Sequence, residues 1–195
     1  MKYFGKKVPY KDWDFDSEKE RDFFIRFIEN SGKKFKVHPS YKIIDKFPLG
    51  GYNQRGITYA PDFVVFGTDS AVEHVYDVKT GINQRAVDTS AKLRFKLFSL
   101  RTGLPVEVVV PRQHDFKMKL FGFTNPRIQE AHARHDIHGN VRRRKNGEPY
   151  YDYYNVYKNI DYDVHDLIGF RRIYEIKEKE AKKPSPEEAG TAERK

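Results

Sequence analysis

Residues 57–80 read ITYAPDFVVFGTDSAVEHVYDVKT. The pattern predicts two strands joined by the turn Gly67-Thr68-Asp69-Ser70. Pro61-Asp62 falls on the first strand and Asp77-Val78-Lys79 ends the second. Side chains alternate faces along a strand, so Asp77 and Lys79 share a face that Val78 does not. Asp62 is expected in mid-strand, between Ala60 and Val64. Pairing the two strands would bring two carboxylates and an ammonium together on a sheet surface. Hard divalent cations prefer such oxygen ligands.

Before this stretch, residues 15–28 read FDSEKERDFFIRFI. Phe23, Phe24, Phe27 and Ile28 lie on one helical face. Ser17 followed by Glu20 is a capping-box pattern, so the helix should start near Ser17. Glu20 falls on the same face as the apolar stripe. It could cap the helix through the Ser17 amide, or reach inward to the carboxylate site. Phe35 to Asp45 reads as a strand broken near Pro39, and Phe47 to Gly56 as a turn-rich loop.

After it, Arg85 to Arg101 reads as a second helix. Val87, Ala91, Phe95 and Phe98 form its apolar row, and Gly103 supplies the stop. Pro105 to Val110 is β-branched and reads as an inner strand. Asp115 to Phe123 reads as a further strand. His132, His135 and His138 recur every three residues, but Gly139-Asn140 breaks the run, and a structural or solvated role is expected. Arg142-Arg143-Arg144-Lys145 precedes Asn146-Gly147, a tight-turn dipeptide. Tyr150, Tyr151, Tyr153, Tyr154 and Tyr157 follow. Basic residues beside tyrosines suit phosphate contact and base stacking, or a hairpin packed on the main sheet. Asp163 to Ile176 reads as a short helix, and the charged, core-poor end as a disordered tail.

The 195 residues suit one domain of about 130–170 residues with appendages. Cysteine is absent, which excludes disulfides and thiolate zinc sites and fits a cytoplasmic protein. The first residues have no apolar run of the signal-peptide kind. Residues 88–147 carry net +8 of the chain's +9. A basic surface following an acidic site points to a polyanionic partner, nucleic acid above all.

Acid-x-Lys alone decides little, since it recurs at Asp115/Lys117, Glu175/Lys177 and Glu180/Lys182. Only Asp77/Lys79 follows a Pro-Asp strand and has a helix with an inward glutamate upstream. Glu20, Pro61-Asp62 and Asp77-Val78-Lys79, in this order, resemble the PD-(D/E)-x-K nuclease superfamily. Residues 3–110 further resemble a phage-associated family within it, of unknown function, with Holliday-junction resolution among its proposed roles. The likeness rests on Tyr3-Phe4-Gly5, Phe15-Asp16-Ser17 with Glu20, the Tyr59 to Phe66 strand, Asp77 to Thr80 and the Lys92 to Phe98 helix.

The resemblance implies an α/β, restriction-endonuclease-like core: helix, three strands, helix and strand around a central mixed sheet. The core would span residues 1–122, a basic and aromatic C-terminal extension 123–175, and the tail 176–195. It implies a Mg²⁺- or Mn²⁺-dependent DNA endonuclease acting on double-stranded or branched DNA. Asp62, Asp77 and the Val78 carbonyl would bind the cation. Lys79 would orient the attacking water or stabilise the transition state, and Glu20 would complete a second metal position. Lys92, Arg94 and Lys96 on the second helix, and Arg142, Arg143, Arg144 and Lys145 in the extension, are the candidate DNA contacts. A resolvase would act as a homodimer. A non-catalytic DNA-binding protein on the same fold, and a sequence-specific restriction or transposition endonuclease, are the alternatives.

Overall fold

The structure is a computed structural model that describes residues 7–169. The chain divides into two units, Met1–Tyr162 and Asp163–Lys195. The first is α/β, built on a six-stranded mixed sheet. Its strands are β1 (Lys34–Val37), β2 (Phe63–Phe66), β3 (Val72–Val78), β4 (Glu107–Pro111), β5 (Phe116–Leu120) and β6 (Asn155–Tyr157). They lie side by side in the order β6-β5-β4-β3-β2-β1. Only the β3–β4 pair is parallel; the others are antiparallel. That parallel step requires a crossover, which α2 (Thr89–Thr102) supplies.

Alternation along β3 sorts the core into two layers. His74 and Tyr76 face the side covered by α1 (Glu18–Phe23) and the π-helical turn Phe24–Ile28. There Phe23 meets Tyr76 edge-on at 5.2 Å and Phe116 at 5.1 Å, and Phe15, Phe24 and Phe63 fill the remaining space. Such ring pairs add about 0.5–1.5 kcal/mol each beyond their burial. Val75 belongs to the opposite layer, with Val64, Val108, Phe95, Phe98 and Tyr59. The expected α2 row of Val87, Phe95 and Phe98 is buried there, with Ala91 packed against it.

Helix ends follow local chemistry. Ser17 caps α1, its hydroxyl accepting from the Glu20 N–H at 3.2 Å. Helix α2 starts at Thr89 and not near Arg85. Asn83 folds Arg85–Val87 into a turn, and Asp88 caps the helix by accepting from the Ala91 N–H at 2.7 Å. Gly103 ends it in the left-handed region at φ 76°. Gly103→Ala is expected to cost about 1 kcal/mol, read as a shift of the urea midpoint with unchanged slope.

The strand expected over Ile57 to Phe66 is two. Ile57–Tyr59 pairs with Tyr41–Ile44 outside the central sheet, and β2 starts only at Phe63. Proline has no N–H to give a ladder, so Pro61 marks the break. Asp62 therefore sits in the bend before β2 and not in mid-strand. The loop expected over Phe47 to Gly56 contains a short hairpin, Phe47–Leu49 with Tyr52–Gln54.

Within residues 123–162, β6 joins the central sheet beside β5. Residues 131–153 form a smaller antiparallel arrangement, turned at Asn146-Gly147 as expected. Tyr157 stacks on Tyr162 at 3.6 Å. In the second unit, α3 (Val164–Ile168) is capped by Asp163. The remainder of the helix expected to Ile176, and the tail, lie outside the described residues. Among the described residues, no helix is long and apolar enough to cross a membrane.

Candidate metal centre

Asp77 and Lys79 come from the C-terminal end of β3, on its α2 side. Asp62 comes from the bend before β2, one strand over. The three line one cleft of about 350 Å³ with Tyr59, Ala91, Arg94 and Phe95. Three local devices hold them. The Val78 N–H donates to Asp62 Oδ2. The Tyr59 hydroxyl donates to Asp77 Oδ2 at 2.8 Å. Lys79 forms an ion pair with Asp77, and its N–H donates to the Val109 carbonyl at 2.9 Å.

The electrostatics follow from crowding. Burial, then Asp77, pushes the Asp62 carboxyl well above the usual carboxylate range; Lys79 and the Val78 N–H oppose this. Burial works against the Lys79 ammonium, yet Asp77, Asp62 and Glu20 outweigh it and raise its pKa. Burial and Asp77 push the Tyr59 phenol well upward, so it remains a donor to the carboxylate. Asp77 Oδ1 is buried and is the oxygen that pairs with the Lys79 ammonium. Two carboxylates thus converge on one ammonium in the cleft.

Glu20 is buried in the first turn of α1. Its Oε2 accepts from the Asp16 N–H at 3.0 Å, and its Oε1 meets His38 Nε2. One oxygen thus serves the helix start and the other is bonded to His38. The cap bond goes to Asp16 and not to the Ser17 amide. Glu20 borders the cleft without lining it, close enough to raise the pKa of both Asp62 and Lys79. Asp16, Glu20 and His38 bring ligand atoms within 4.8 Å of one another, a second group able to hold a metal. His38 is tied to Asp62 by its N–H, which donates to the Asp62 carbonyl at 3.0 Å. The Glu20 hydrogen bond raises the His38 pKa, Asp62 and Asp16 add to this, and burial opposes it.

Not every expected residue meets at the site. The Val78 carbonyl accepts from Lys79 Nζ at 3.3 Å. Arg94 lines the cleft, whereas Lys92 lies over the Phe121 ring and the Lys96 stem lies beside Gly122. Of the basic run, Arg143 donates to the Gly147 carbonyl and Arg144 reaches Glu148 and Tyr150, so both turn back on their own hairpin. Lys145 is in the turn. His132 stacks on Tyr154, and His135 and His138 are exposed in the hairpin that follows. Sequence reasoning missed His38, Tyr59 and Asp16. The faint signals were the Pro39 break directly after His38 and the position of Tyr59 two residues before Pro61.

Neither the curated proteins nor the solved structures contain a match to the chain. A family described only as a protein of unknown function, DUF1064, matches residues 1–120, a span that holds Glu20, His38, Asp62, Asp77 and Lys79. The chain belongs to the DUF1064 family.

Proposed function

We propose that the chain is a divalent-cation-dependent DNA endonuclease of the PD-(D/E)-x-K kind, with a restriction-endonuclease-like core. The observation that carries this is the convergence of Asp62, Asp77 and Lys79 on one cleft. Asp62 and Asp77 would hold Mg²⁺ or Mn²⁺, and Glu20 with His38 and Asp16 would support a second position. A cation bound there supplies a water of lowered pKa and offsets charge on the phosphoryl oxygens.

The side chains divide the remaining work. Tyr59 fixes the Asp77 carboxylate by donating to Oδ2, while Oδ1 pairs with Lys79. The Val78 N–H fixes Asp62 in the same way. Lys79 is held protonated by its acidic neighbours, so it acts as a fixed positive charge toward the pentacovalent transition state. Arg94, at the cleft's rim on α2, can hold a neighbouring phosphate. A resolvase acting on branched DNA as a homodimer is the specific form of the proposal.

Linear duplex, single-stranded, flap and four-way-junction DNA, each with Mg²⁺, Mn²⁺ or EDTA, test it. Cleavage in either metal and none in EDTA is expected. Paired symmetric nicks confined to the junction would identify a resolvase and require two sites, hence a dimer. Cutting of every substrate would identify a general nuclease. Binding without cutting in either metal would overturn the enzyme reading in favour of a non-catalytic DNA-binding protein.

A further inference from the structure

A second, larger cleft of about 720 Å³ begins one residue beyond Lys79, at Thr80-Gly81. One wall belongs to the region matched by the family, with Lys19, Arg112 and Lys117. The other belongs to residues beyond it, with Arg134 and Arg142. Five cations face one carboxylate, Asp152. Asp152 is taken by Arg134, at 2.9 and 2.6 Å, and Arg112 pairs with Asp115. Lys19, Lys117 and Arg142 have no carboxylate partner among the described residues.

These three cations are positioned, not merely present. Lys19 directly precedes Glu20 and reaches the Thr80 carbonyl at 3.5 Å. Lys117 stands opposite Val110 on β4. Continuing the β3–β4 register puts Val110 opposite Lys79. Lys117 is thus two strands from Lys79 at the same level, about 9–10 Å away. Its ammonium is held over the Tyr154 ring at 4.5 Å, and His132 stacks on that ring at 3.9 Å. Tyr154 is thereby occupied as a support and is not open to a base. Arg142 is exposed, but its backbone is clamped by bonds to Arg134 and Tyr150. Nearby, burial lowers the Lys119 pKa; Asp152 opposes this, and Arg134 and Lys92 add to it.

We infer that this cleft is a track for the DNA phosphate backbone, which residues 123–162 complete by facing Arg142 toward Lys117 and Lys19. The track rests on the nuclease reading for its direction, since it leads away from the Asp62–Asp77–Lys79 site. The unpaired cations, two ammoniums and a guanidinium, suit phosphate oxygens, and phosphate contacts carry no sequence information. Its contacts exchange counterions, so affinity through it falls steeply with salt.

The test measures binding of a fluorescent duplex and a matched single strand to full-length Asp77→Asn protein in EDTA, across salt concentrations. Working without cleavage separates the track from the catalytic reading. Lys117→Ala/Arg142→Ala is expected to weaken binding roughly 10- to 100-fold at 0.1 M salt and to reduce the salt slope by about 2. Arg142→Ala alone, at an exposed side chain, is expected to reduce the slope by about 1. Arg143→Ala/Arg144→Ala, whose side chains turn away, is expected to leave the slope unchanged. An unaltered slope in the first two variants, with normal thermal melts, would overturn the track whether or not the parent cleaves DNA. Equal loss in the Arg143/Arg144 variant would also overturn it, by showing an undirected basic surface.

Discussion

Asp77→Asn is expected to lower cation-dependent DNA cleavage by roughly 10³-fold or more, while DNA affinity in EDTA stays within about twofold of the parent. The substitution is nearly isosteric. The asparagine carbonyl can still accept from the Tyr59 hydroxyl, which donates to Asp77 Oδ2 at 2.8 Å. What disappears is the negative charge that would draw a cation. Lys79 loses its direct ion-pair partner but keeps Asp62 and Glu20 nearby. Single-turnover cleavage beside anisotropy binding reads both quantities. Cleavage within tenfold of the parent would show that the reacting phosphate lies elsewhere.

Glu107→Ala is expected to destabilise the fold by about 3–5 kcal/mol, a loss of roughly 10 °C in Tm. Glu107 and His74 are both fully buried, bonded Oε1 to Nδ1 at 3.0 Å. His74 Nε2 donates to the Ile160 carbonyl at 3.0 Å, and the Tyr162 hydroxyl donates to Glu107. Removing the carboxylate strands an imidazole and a phenol in the core. His74→Leu/Glu107→Leu removes both charges and is expected to recover most of the loss.

Burial works against the charged imidazole, yet Glu107 and the Ile160 carbonyl outweigh it and raise the His74 pKa. The unfolded value is about 6.5. The pair's contribution is therefore full below that pH and fades as pH rises through the higher folded value. Urea melts from pH 6 to 9 should show parent stability falling with pH and Glu107→Ala showing a flatter profile. Equal slopes in the two proteins would remove the charged pair from the account.

The site was legible in sequence where short-range rules govern it. Alternation put Asp77 and Lys79 on one face, and Ser17 with Glu20 marked the helix start. Gly103 ended α2 as read, because the left-handed position needs glycine. Misreadings arose where a single residue overrode a pattern. Pro61 divides an otherwise continuous β-type run, which moves Asp62 from mid-strand to a bend. Asp88 captures the start of α2, and Asn83 folds what precedes it into a turn. His38 and Tyr59 were invisible for another reason. Each is 18 residues from the carboxylate it serves, and only tertiary pairing brings them there. The wall containing Arg142 was equally hidden, since a four-residue basic run does not reveal which side chain lines a cleft.

The strand β6 has a bearing on where this protein can be cut. It covers the outer side of β5 through Phe116↔Tyr157, Lys117↔Val156 and Met118↔Asn155. Residues 1–120, the span shared with the family, stop before it. A fragment ending there would carry β5, Phe-Lys-Met-Lys-Leu, as a naked margin of unpaired amides and carbonyls. Such margins recruit other chains and seed self-association. The span matched by the family and the folding unit are thus different lengths in this molecule, and the residues past 120 act as its selvage.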